Sequence, residues 1–321
     1  MAWSCSVPTD RIISAPDVDS IYDIPINFEK EKLSEKICGL FGIKNTKPDN
    51  KLWKKWQDFA AHAHNGKEVV KIAVIGKYFE TGDFVLSDSY LSVIEAVKYS
   101  AYKENRKPIL TWYNAVDFEK DPSKLKELKK FDGVLVPGGF GSRGVEGKLK
   151  VVEYARLNKI PYFGLCYGMQ MIVIEYARNV LGLKDANTRE VNPKSKNIVI
   201  DIMSSQKDIL AKNSYGGTMR LGGYKALLKK GSIANEAYGK GEVIERHRHR
   251  YEVATDYIEK LEAKGLVFSG TSPDGTLMEI AELPKSKHPF FLGTQFHPEF
   301  LAHPLNPHPL FNAFIKACIK K

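Results

Sequence analysis

The chain of 321 residues is 43% hydrophobic and 27% charged, and its formal net charge at pH 7 is +10. This composition is typical of an ordinary globular protein and excludes a disordered chain, and no run reaches the roughly 18–20 apolar residues of a membrane span. The first residues lack the apolar core of a secretory signal, and the four cysteines form no Cys-x-x-Cys pair, which predicts a cytoplasmic protein with reduced thiols.

The first 65 residues are predicted to form an appendage to a larger domain. A polar stretch at residues 44–51 is typical of a linker. An aromatic helical face follows at residues 53–59. The predicted organisation is therefore an N-terminal segment of residues 1–65 and one domain of residues 66–321.

Beyond this segment, predicted strands and helices alternate. Strands are predicted at residues 69–75, 108–113, 133–136 and 162–165, and helices at 87–105, 122–129, 145–157 and 167–180. Later strands are predicted at 197–202, 242–254, 266–271, 277–283 and 290–296, before a closing helix at 310–320. This order predicts an α/β fold with an open, mostly parallel, doubly wound sheet and added antiparallel strands. Functional residues are expected at the carboxyl ends of the parallel strands.

The segment Gly164-Leu165-Cys166-Tyr167-Gly168 lies between a predicted strand and a predicted helix. It has the Gly-x-nucleophile-x-Gly pattern, in which the two glycines remove Cβ atoms that would clash around a strained turn. A thiol at a helix N-terminus is also favoured as the reactive thiolate. The alternative is a buried, inert Cys166 at the end of a core strand. The two glycines in a strand-turn-helix setting favour the nucleophile.

A nucleophile of this kind needs a base and a group that orients the base. His297 and Glu299 follow the strand predicted at 290–296. Residues i and i+2 of an extended chain project to the same side, and Pro298 fixes its own φ between them. Glu299 can therefore hold the imidazole of His297 toward Cys166, although the same three residues could simply form a turn that ends a strand.

The remaining histidines give no sign of a metal site. Five of them lie in polar or Pro-rich stretches and are expected to be exposed: His62, His64, His288, His303 and His308. A metal site would need a cluster of Cys or carboxylate ligands beside them. The sequence therefore predicts no metal in this chain.

A Gly-rich turn at residues 137–141 follows the predicted strand 133–136. Its backbone N–H groups can approach a substrate closely, because no side chains intervene. The amides of Gly139 and Tyr167 could together form an oxyanion hole. The alternatives are an ordinary tight turn or a phosphate cradle, but the Gly-x-x-x-x-Gly-Lys-Ser/Thr order of a P-loop is lacking.

Arginines alternate with histidines at residues 246–250. In an extended strand, Arg246, Arg248 and Arg250 would share one face and could bind a carboxylate or phosphate in bidentate fashion. A nucleic-acid patch is the alternative reading. Only this one short run supports it, without a recognition helix or an aromatic sheet motif, so no nucleic-acid partner is predicted.

The three motifs, Pro-Gly-Gly-Phe-Gly, Gly-Leu-Cys-Tyr-Gly-Met-Gln and Gln-Phe-His-Pro-Glu-Phe, occur in this order at residues 137–141, 164–170 and 295–300. Together they resemble the class I glutamine amidotransferases, which have a flavodoxin-like fold. Residues 138–148, 216–222 and 245–253 resemble motifs of the CTP synthase family in particular. Residues 13–25 resemble the end of that family's synthetase domain, ahead of an interdomain linker.

The resemblance implies a Cys-His-Glu triad, with Cys166 as nucleophile, His297 as base and Glu299 as its orienting group. It also implies that glutamine is held by Gly139, Tyr167, Gly168, Met169, Gln170, Glu190 and Arg250. Residues 216–222 resemble a lid that responds to GTP, an allosteric activator, and the resemblance places Arg220 near that nucleotide. Tyr167 departs from the family, where Leu is usual, and its larger ring could alter the shape of the pocket.

The family's synthetase domain carries the ATP, Mg²⁺ and UTP sites, and this sequence begins near the end of that domain. The chain by itself is therefore expected to need no cofactor and not to make CTP. The implied function is to release ammonia from L-glutamine for a synthetase domain or subunit, in a homo-oligomer that is a tetramer when the synthetase part is present.

Two other functions remain open. One is a non-catalytic regulatory or assembly module that binds GTP or a synthetase partner. The other is a stand-alone γ-glutamyl hydrolase, which the synthetase-like residues 10–30 disfavour.

Overall fold

The computed structural model describes residues 2–44, 49–66, 68–76, 80–81, 84–85, 90–202 and 219–320. The α-helices in these ranges are α1 Ala2–Cys5, α2 Ile24–Lys30, α3 Leu33–Leu40, α4 Asn50–Asn65, α5 Leu91–Lys103, α6 Ala115–Lys120, α7 Val145–Leu157, α8 Tyr167–Asn179, α9 Ile233–Tyr238, α10 Ile258–Ala263 and α11 Pro309–Ile319. Short 3₁₀ helices lie at Thr9–Arg11, Ile21–Asp23, Pro122–Lys130, Thr255–Tyr257 and Pro298–Leu301. Among these described helices, none is long and apolar enough to span a membrane.

The strands are β1 Glu68–Gly76, β2 Glu80–Thr81, β3 Phe84–Val85, β4 Arg106–Asn114, β5 Gly133–Val136, β6 Tyr162–Leu165, β7 Asn187–Thr188, β8 Ile198–Ile202, β9 Arg220–Leu228, β10 Glu242–His249, β11 Tyr251–Val253, β12 Val267–Thr271, β13 Met278–Leu283 and β14 Phe291–Thr294. Nine of them form one sheet in the order β10-β9-β12-β13-β14-β6-β5-β1-β4. The neighbours from β14 to β4 are parallel, and those from β10 to β14 are antiparallel. The predicted fold class is confirmed.

Alternating apolar residues give the sheet a core on each face. In β1, Ile72 and Val74 pack into one fully buried cluster, and Ala73 and Ile75 pack into the other. Helices α5 and α11 contribute to the first cluster, and α7 and α8 to the second. Burying a side chain such as Ile or Val contributes about 1.5–3 kcal/mol. These two cores hold the parallel strands in register, so the carboxyl ends of β5, β6 and β14 lie at one edge.

The single strand predicted at residues 242–254 is two strands in the structure. The last residue of β10, His249, pairs with Arg220, the first residue of β9, so within the described ranges the β9–β10 ladder ends at this pair. After Arg250 the chain enters β11, which pairs with β8 in a separate three-stranded sheet. The prediction was wrong here because strand β9, whose Gly222-Gly223 pair weakens its apolar pattern, was not recognised.

The N-terminal segment packs against the main sheet domain through an aromatic cluster. The ring of Tyr22 lies 4.9 Å from Phe59 of α4, 6.2 Å from Tyr99 and 5.9 Å from Tyr102 of α5, measured between ring centroids. The indole nitrogen of Trp56 donates to the carbonyl of Tyr22 at 3.0 Å. The division of the chain at residue 65 stays a prediction.

Candidate active site

Cys166 occupies the sharp turn between β6 and α8. Its φ is +50° and its ψ is −95°, a left-handed conformation that costs a non-glycine residue of the order of 1–3 kcal/mol. The flanking glycines make the turn possible. A Cβ on Gly164 would lie 2.6 Å from the carbonyl of Gly168, and a Cβ on Gly168 would lie 2.3 Å from the carbonyl oxygen of Val136.

His297 follows β14, the strand that pairs with β6. Its Nδ1 lies 2.7 Å from Oε1 of Glu299, and its backbone N–H donates to the carbonyl of Arg246 at 2.8 Å. A Cβ built on Gly138 would lie 2.9 Å from Cε1 of His297 and 3.6 Å from Cβ of Cys166. The structure therefore brings Cys166, His297 and Glu299 together around one glycine.

The charges around His297 favour its protonated form. Burial of the ring opposes protonation, but the charges of Glu299 and Cys166 outweigh it and hold the pKa of His297 well above its usual value. Its Nε2 is buried and meets no partner at hydrogen-bonding geometry within the described ranges, although Cys166 is near enough to affect the pKa. The arrangement suits a proton that moves between the sulfur and a bound substrate.

A cavity of about 400 Å³ opens beside these residues. Its lining includes Gly138, Gly139, Cys166, Arg248, His297 and Phe300. A volume in the range of roughly 300–1,000 Å³ is typical of small-molecule sites. Gly139, predicted as an oxyanion donor, thus faces the same cavity as Cys166.

Tyr167 begins α8, so its backbone N–H is one of the helix's first, which have no partner within the helix. Its side chain does not line the cavity. The ring is buried, its hydroxyl donates to the carbonyl of Gly141 at 2.9 Å, and the Nζ of Lys148 lies 4.9 Å from the ring centroid. The tyrosine ring, which is larger than the leucine usual in the family, therefore contacts the Gly-rich loop and lies outside the cavity lining.

Gly168, Met169 and Gln170, predicted to contact glutamine, are buried in the first turn of α8 and do not line the cavity. The side-chain nitrogen of Gln170 lies 3.2 Å from the carbonyl oxygen of Tyr251 and 3.3 Å from Oε1 of Gln295. Gln170 therefore lies close to Cys166, but its amide nitrogen is already hydrogen-bonded to other residues of the protein.

Glu190 and Arg250, predicted to bind glutamine, do not line this cavity. Oε1 of Glu190 accepts the backbone N–H of Gly141 at 2.8 Å. Burial and then the charge of Glu190 raise the pKa of Tyr251, which the charge of Arg250 opposes, so both charged groups act near one ring. The Nε of Arg250 is buried and has no hydrogen-bond partner among the described residues.

The structure places Arg220 in a buried ion cluster. Its Nη1 lies 2.8 Å from Glu279 and 3.6 Å from Glu252, and its guanidinium lies 4.4 Å from the ring centroid of Tyr224. Only 8% of Arg220 is exposed, so the guanidinium predicted to meet GTP is occupied by carboxylates. Residues 216–218 of the predicted lid lie outside the described residues.

Three residues near the triad were not assigned to this site, although Arg248 was predicted as one of a row of arginines that could bind a carboxylate or phosphate. Arg248 lines the cavity, Gln295 places its amide nitrogen 3.6 Å from the sulfur of Cys166, and Phe300 stacks on His297 at 4.9 Å. Arg248 belongs to the arginine row, and Gln295 and Phe300 belong to the motif that carries His297. Sequence analysis did not show which side chains these residues contact, and it therefore assigned none of them to this site.

Two histidines expected to be exposed are buried. His288 lies 3.2 Å from the carbonyl of Ala155, and His308 lies 3.0 Å from Glu245. The expectation was wrong because these contacts use Nε2 while the Nδ1 of each ring accepts the backbone N–H of the residue two positions later, so both ring nitrogens have partners inside the protein. Among the residues that the structure describes, no group of three or more His, Cys, Asp or Glu could hold a metal ion.

Residues 85–317 match the family model described as glutamine amidotransferase class-I. A CTP synthase of Mycobacterium marinum is 47% identical over 320 residues, which cover 99% of this chain and 53% of that protein. A CTP synthase of Halalkalibacterium halodurans is 42% identical over 321 residues, 100% of this chain and 58% of that protein. This chain spans about half the length of these curated relatives.

Among solved structures, the glutaminase domain of Trypanosoma brucei CTPS with bound acivicin matches with a TM-score of 0.71 and 37% identity. The match covers 79% of this chain and 95% of that chain.

Proposed function

The chain belongs to the class I glutamine amidotransferases, and from this premise we propose that it is the glutaminase part of a CTP synthase. It hydrolyses L-glutamine and supplies the ammonia for the ATP-dependent amination of UTP to CTP. One observation carries the proposal: Cys166 sits on a strained turn at a helix N-terminus beside the hydrogen-bonded pair His297 and Glu299.

The reaction proceeds through a thioester at Cys166. The thiolate attacks the side-chain carbonyl carbon of glutamine, and the backbone N–H groups of Gly139 and Tyr167 stabilise the oxyanion, each contributing about 10²–10³ in rate. Protonated His297 gives its proton to the departing amine, and ammonia leaves. Neutral His297 then takes a proton from water, whose oxygen attacks the thioester carbonyl. The C–S bond breaks, glutamate is released, and the Cys166 thiolate and protonated His297 are restored.

In this proposal glutamine is held by two opposite charges, although neither group lines the cavity beside Cys166. Glu190 suits the α-ammonium group and Arg250 the α-carboxylate, which a guanidinium can bind in bidentate fashion. The Nε of Arg250, which is buried and meets no hydrogen-bond partner in the part of the chain that the structure describes, supports this assignment. Gly168, Met169 and Gln170 complete the predicted substrate segment at the start of α8.

The expected partner is a synthetase domain or subunit, and the assembled enzyme is expected to be a cytoplasmic tetramer. Four free cysteines suit a reducing compartment. GTP activation stays a prediction. A contact between GTP and Arg220 requires the guanidinium to leave Glu279 and Glu252.

The test is ammonia and glutamate release from glutamine, with and without GTP and a synthetase partner. Cys166→Ala should reduce the rate to background, whereas Cys38→Ala, which changes a cysteine far from the triad motifs in sequence, should match the wild type. Equal rates in Cys166→Ala and wild type would overturn the proposal. Binding of GTP or the partner without turnover, when both are supplied, would favour the regulatory module instead.

A further inference from the structure

The sulfur of Cys166 has a polar neighbour that the reaction above leaves unused. Nε2 of Gln295 lies 3.6 Å from Sγ, within reach of an N–H···S hydrogen bond. Gln295 is fully buried, and its backbone N–H donates to the carbonyl of Glu279 at 2.8 Å. The side chain is therefore fixed between the end of β14 and the nucleophile, where no solvent competes for its amide.

The orientation of the Gln295 amide follows from its contact with Gln170, and the orientation of Gln170 follows from its contact with the backbone carbonyl of Tyr251. A carbonyl oxygen can only accept, so the atom of Gln170 that lies 3.2 Å from the carbonyl of Tyr251 must be its NH₂ group. The same nitrogen lies 3.3 Å from Gln295, which must present its oxygen there. The NH₂ group of Gln295 consequently faces Cys166.

From this geometry we propose that Gln295 is a further catalytic residue, which donates an N–H to the sulfur of Cys166, and that Gln170 is the positioning residue that orients it. The inference rests on the proposed glutaminase function. When the thioester breaks, the electron pair of the C–S bond goes to the sulfur. The Gln295 amide keeps its hydrogen throughout and stabilises the negative sulfur before attack and after release.

The test measures the reactivity of the Cys166 sulfur separately from the turnover of glutamine. Alkylation of Cys166 by iodoacetamide, followed by mass spectrometry, reports the reactivity of the thiolate without glutamine. In Gln295→Met, which keeps the length of the side chain, alkylation at pH 7 should be about 10- to 100-fold slower, as for loss of a hydrogen bond to a charged group. The kcat for glutamine should fall in parallel while KM stays near the wild-type value.

Two further variants test whether Gln170 orients Gln295 toward Cys166. Gln170→Met should slow alkylation in the same direction but less, because Gln295 remains and only its orientation is released. Gln57→Met, which changes an exposed glutamine on α4, should leave both rates unchanged. Thermal unfolding of each variant shows whether it is folded.

A folded Gln295→Met protein that is alkylated and turns over at wild-type rates overturns the inference alone. Should Gln295→Met fail to fold, folded Gln170→Met carries the test, and wild-type alkylation in that variant overturns the orienting role. A wild-type protein that does not hydrolyse glutamine with GTP and a synthetase partner overturns the proposed function, and this inference with it.

Discussion

Glu299 controls both the direction and the charge of the His297 ring. Its Oε1 lies 2.7 Å from Nδ1, and its charge is the largest contribution that raises the pKa of His297. Glu299→Gln should keep the contact but lose this charge, so the protonated ring that expels ammonia in the proposed mechanism becomes less populated. We expect kcat to fall by about 10²–10⁴, the usual contribution of general acid–base catalysis.

Steady-state glutamine hydrolysis at pH 7 and at higher pH measures this effect, with the exposed Glu259→Gln as the matched control. The loss should grow as pH rises, because the uncharged neighbour no longer helps His297 to keep its proton. A Glu299→Gln enzyme with the wild-type rate and pH profile would show that the carboxylate is only structural.

The sequence was sufficient for the residues whose requirement is local. The turn at Cys166 needs two glycines within the same five residues, because a Cβ at Gly164 or Gly168 would meet the backbone. The contact between Gln295 and Cys166 depends instead on the pairing of β14 with β6. The spacing of residues along the sequence does not show which strands become neighbours in the sheet.

At the scale of a strand, β10 turns His247 and His249 inward while Arg246 and Arg248 face outward. Nδ1 of His247 lies 2.9 Å from Nε2 of His249. Burial is the main reason that the pKa of His247 falls to about 2 and that of His249 to about 3, and the charge of Arg220 lowers both further. Both rings are therefore neutral in the folded protein at every physiological pH.

These histidines and the nearby Glu279 affect stability in opposite directions as the pH falls. Unfolding frees each histidine to bind a proton below about pH 6.5, so acidification destabilises the fold through them. Burial raises the pKa of Glu279 to about 7, so between this value and about 4.5 the folded state holds an extra proton and acidification stabilises the fold.

Glu279→Gln should therefore steepen the loss of stability on acidification. Between pH 6.5 and 5 the free energy of unfolding should fall more than in the wild type by about 1 kcal/mol per pH unit, since one pKa unit is worth about 1.4 kcal/mol. Urea unfolding at several pH values measures the two slopes, with Glu259→Gln again as control. Parallel slopes for Glu279→Gln and wild type would contradict the prediction.

One strand that sequence analysis did not predict, β9, carries a central residue of this cluster. Strand β9 contains Gly222-Gly223 and alternates few apolar residues, so its pattern alone does not indicate a strand. Its first residue, Arg220, is held by Glu279 of β13 and Glu252 of β11. The carboxylates that hold Arg220 come from two other strands, which a local pattern does not show.

At the scale of the whole molecule, Tyr22 joins the N-terminal segment to the main domain. It is 5% exposed and lies among Phe59, Tyr99 and Tyr102. Tyr22→Ala should weaken this docking by about 3 kcal/mol or more, as for other buried aromatic truncations. Residues 2–44 should then exchange amide hydrogens faster, while strands β5, β6 and β14 keep their protection.

Hydrogen exchange of the full chain measures this change, with Tyr22→Phe as the conservative control. Phe keeps the ring contacts and loses only the hydroxyl bond to Glu95, so it should cost about 1 kcal/mol. Equal exchange of residues 2–44 in Tyr22→Ala and wild type would show that other contacts carry the docking.

The place of β14 in the sheet has a consequence for biosynthesis. This strand is inserted between β13 and β6, and it is the last of the described strands in chain order. A ribosome therefore exposes the thiol of Cys166 long before it releases the imidazole of His297. Because domains generally fold as units during synthesis, a polypeptide that stops before residue 297 lacks the base of the proposed triad, and under the proposed function it should not hydrolyse glutamine.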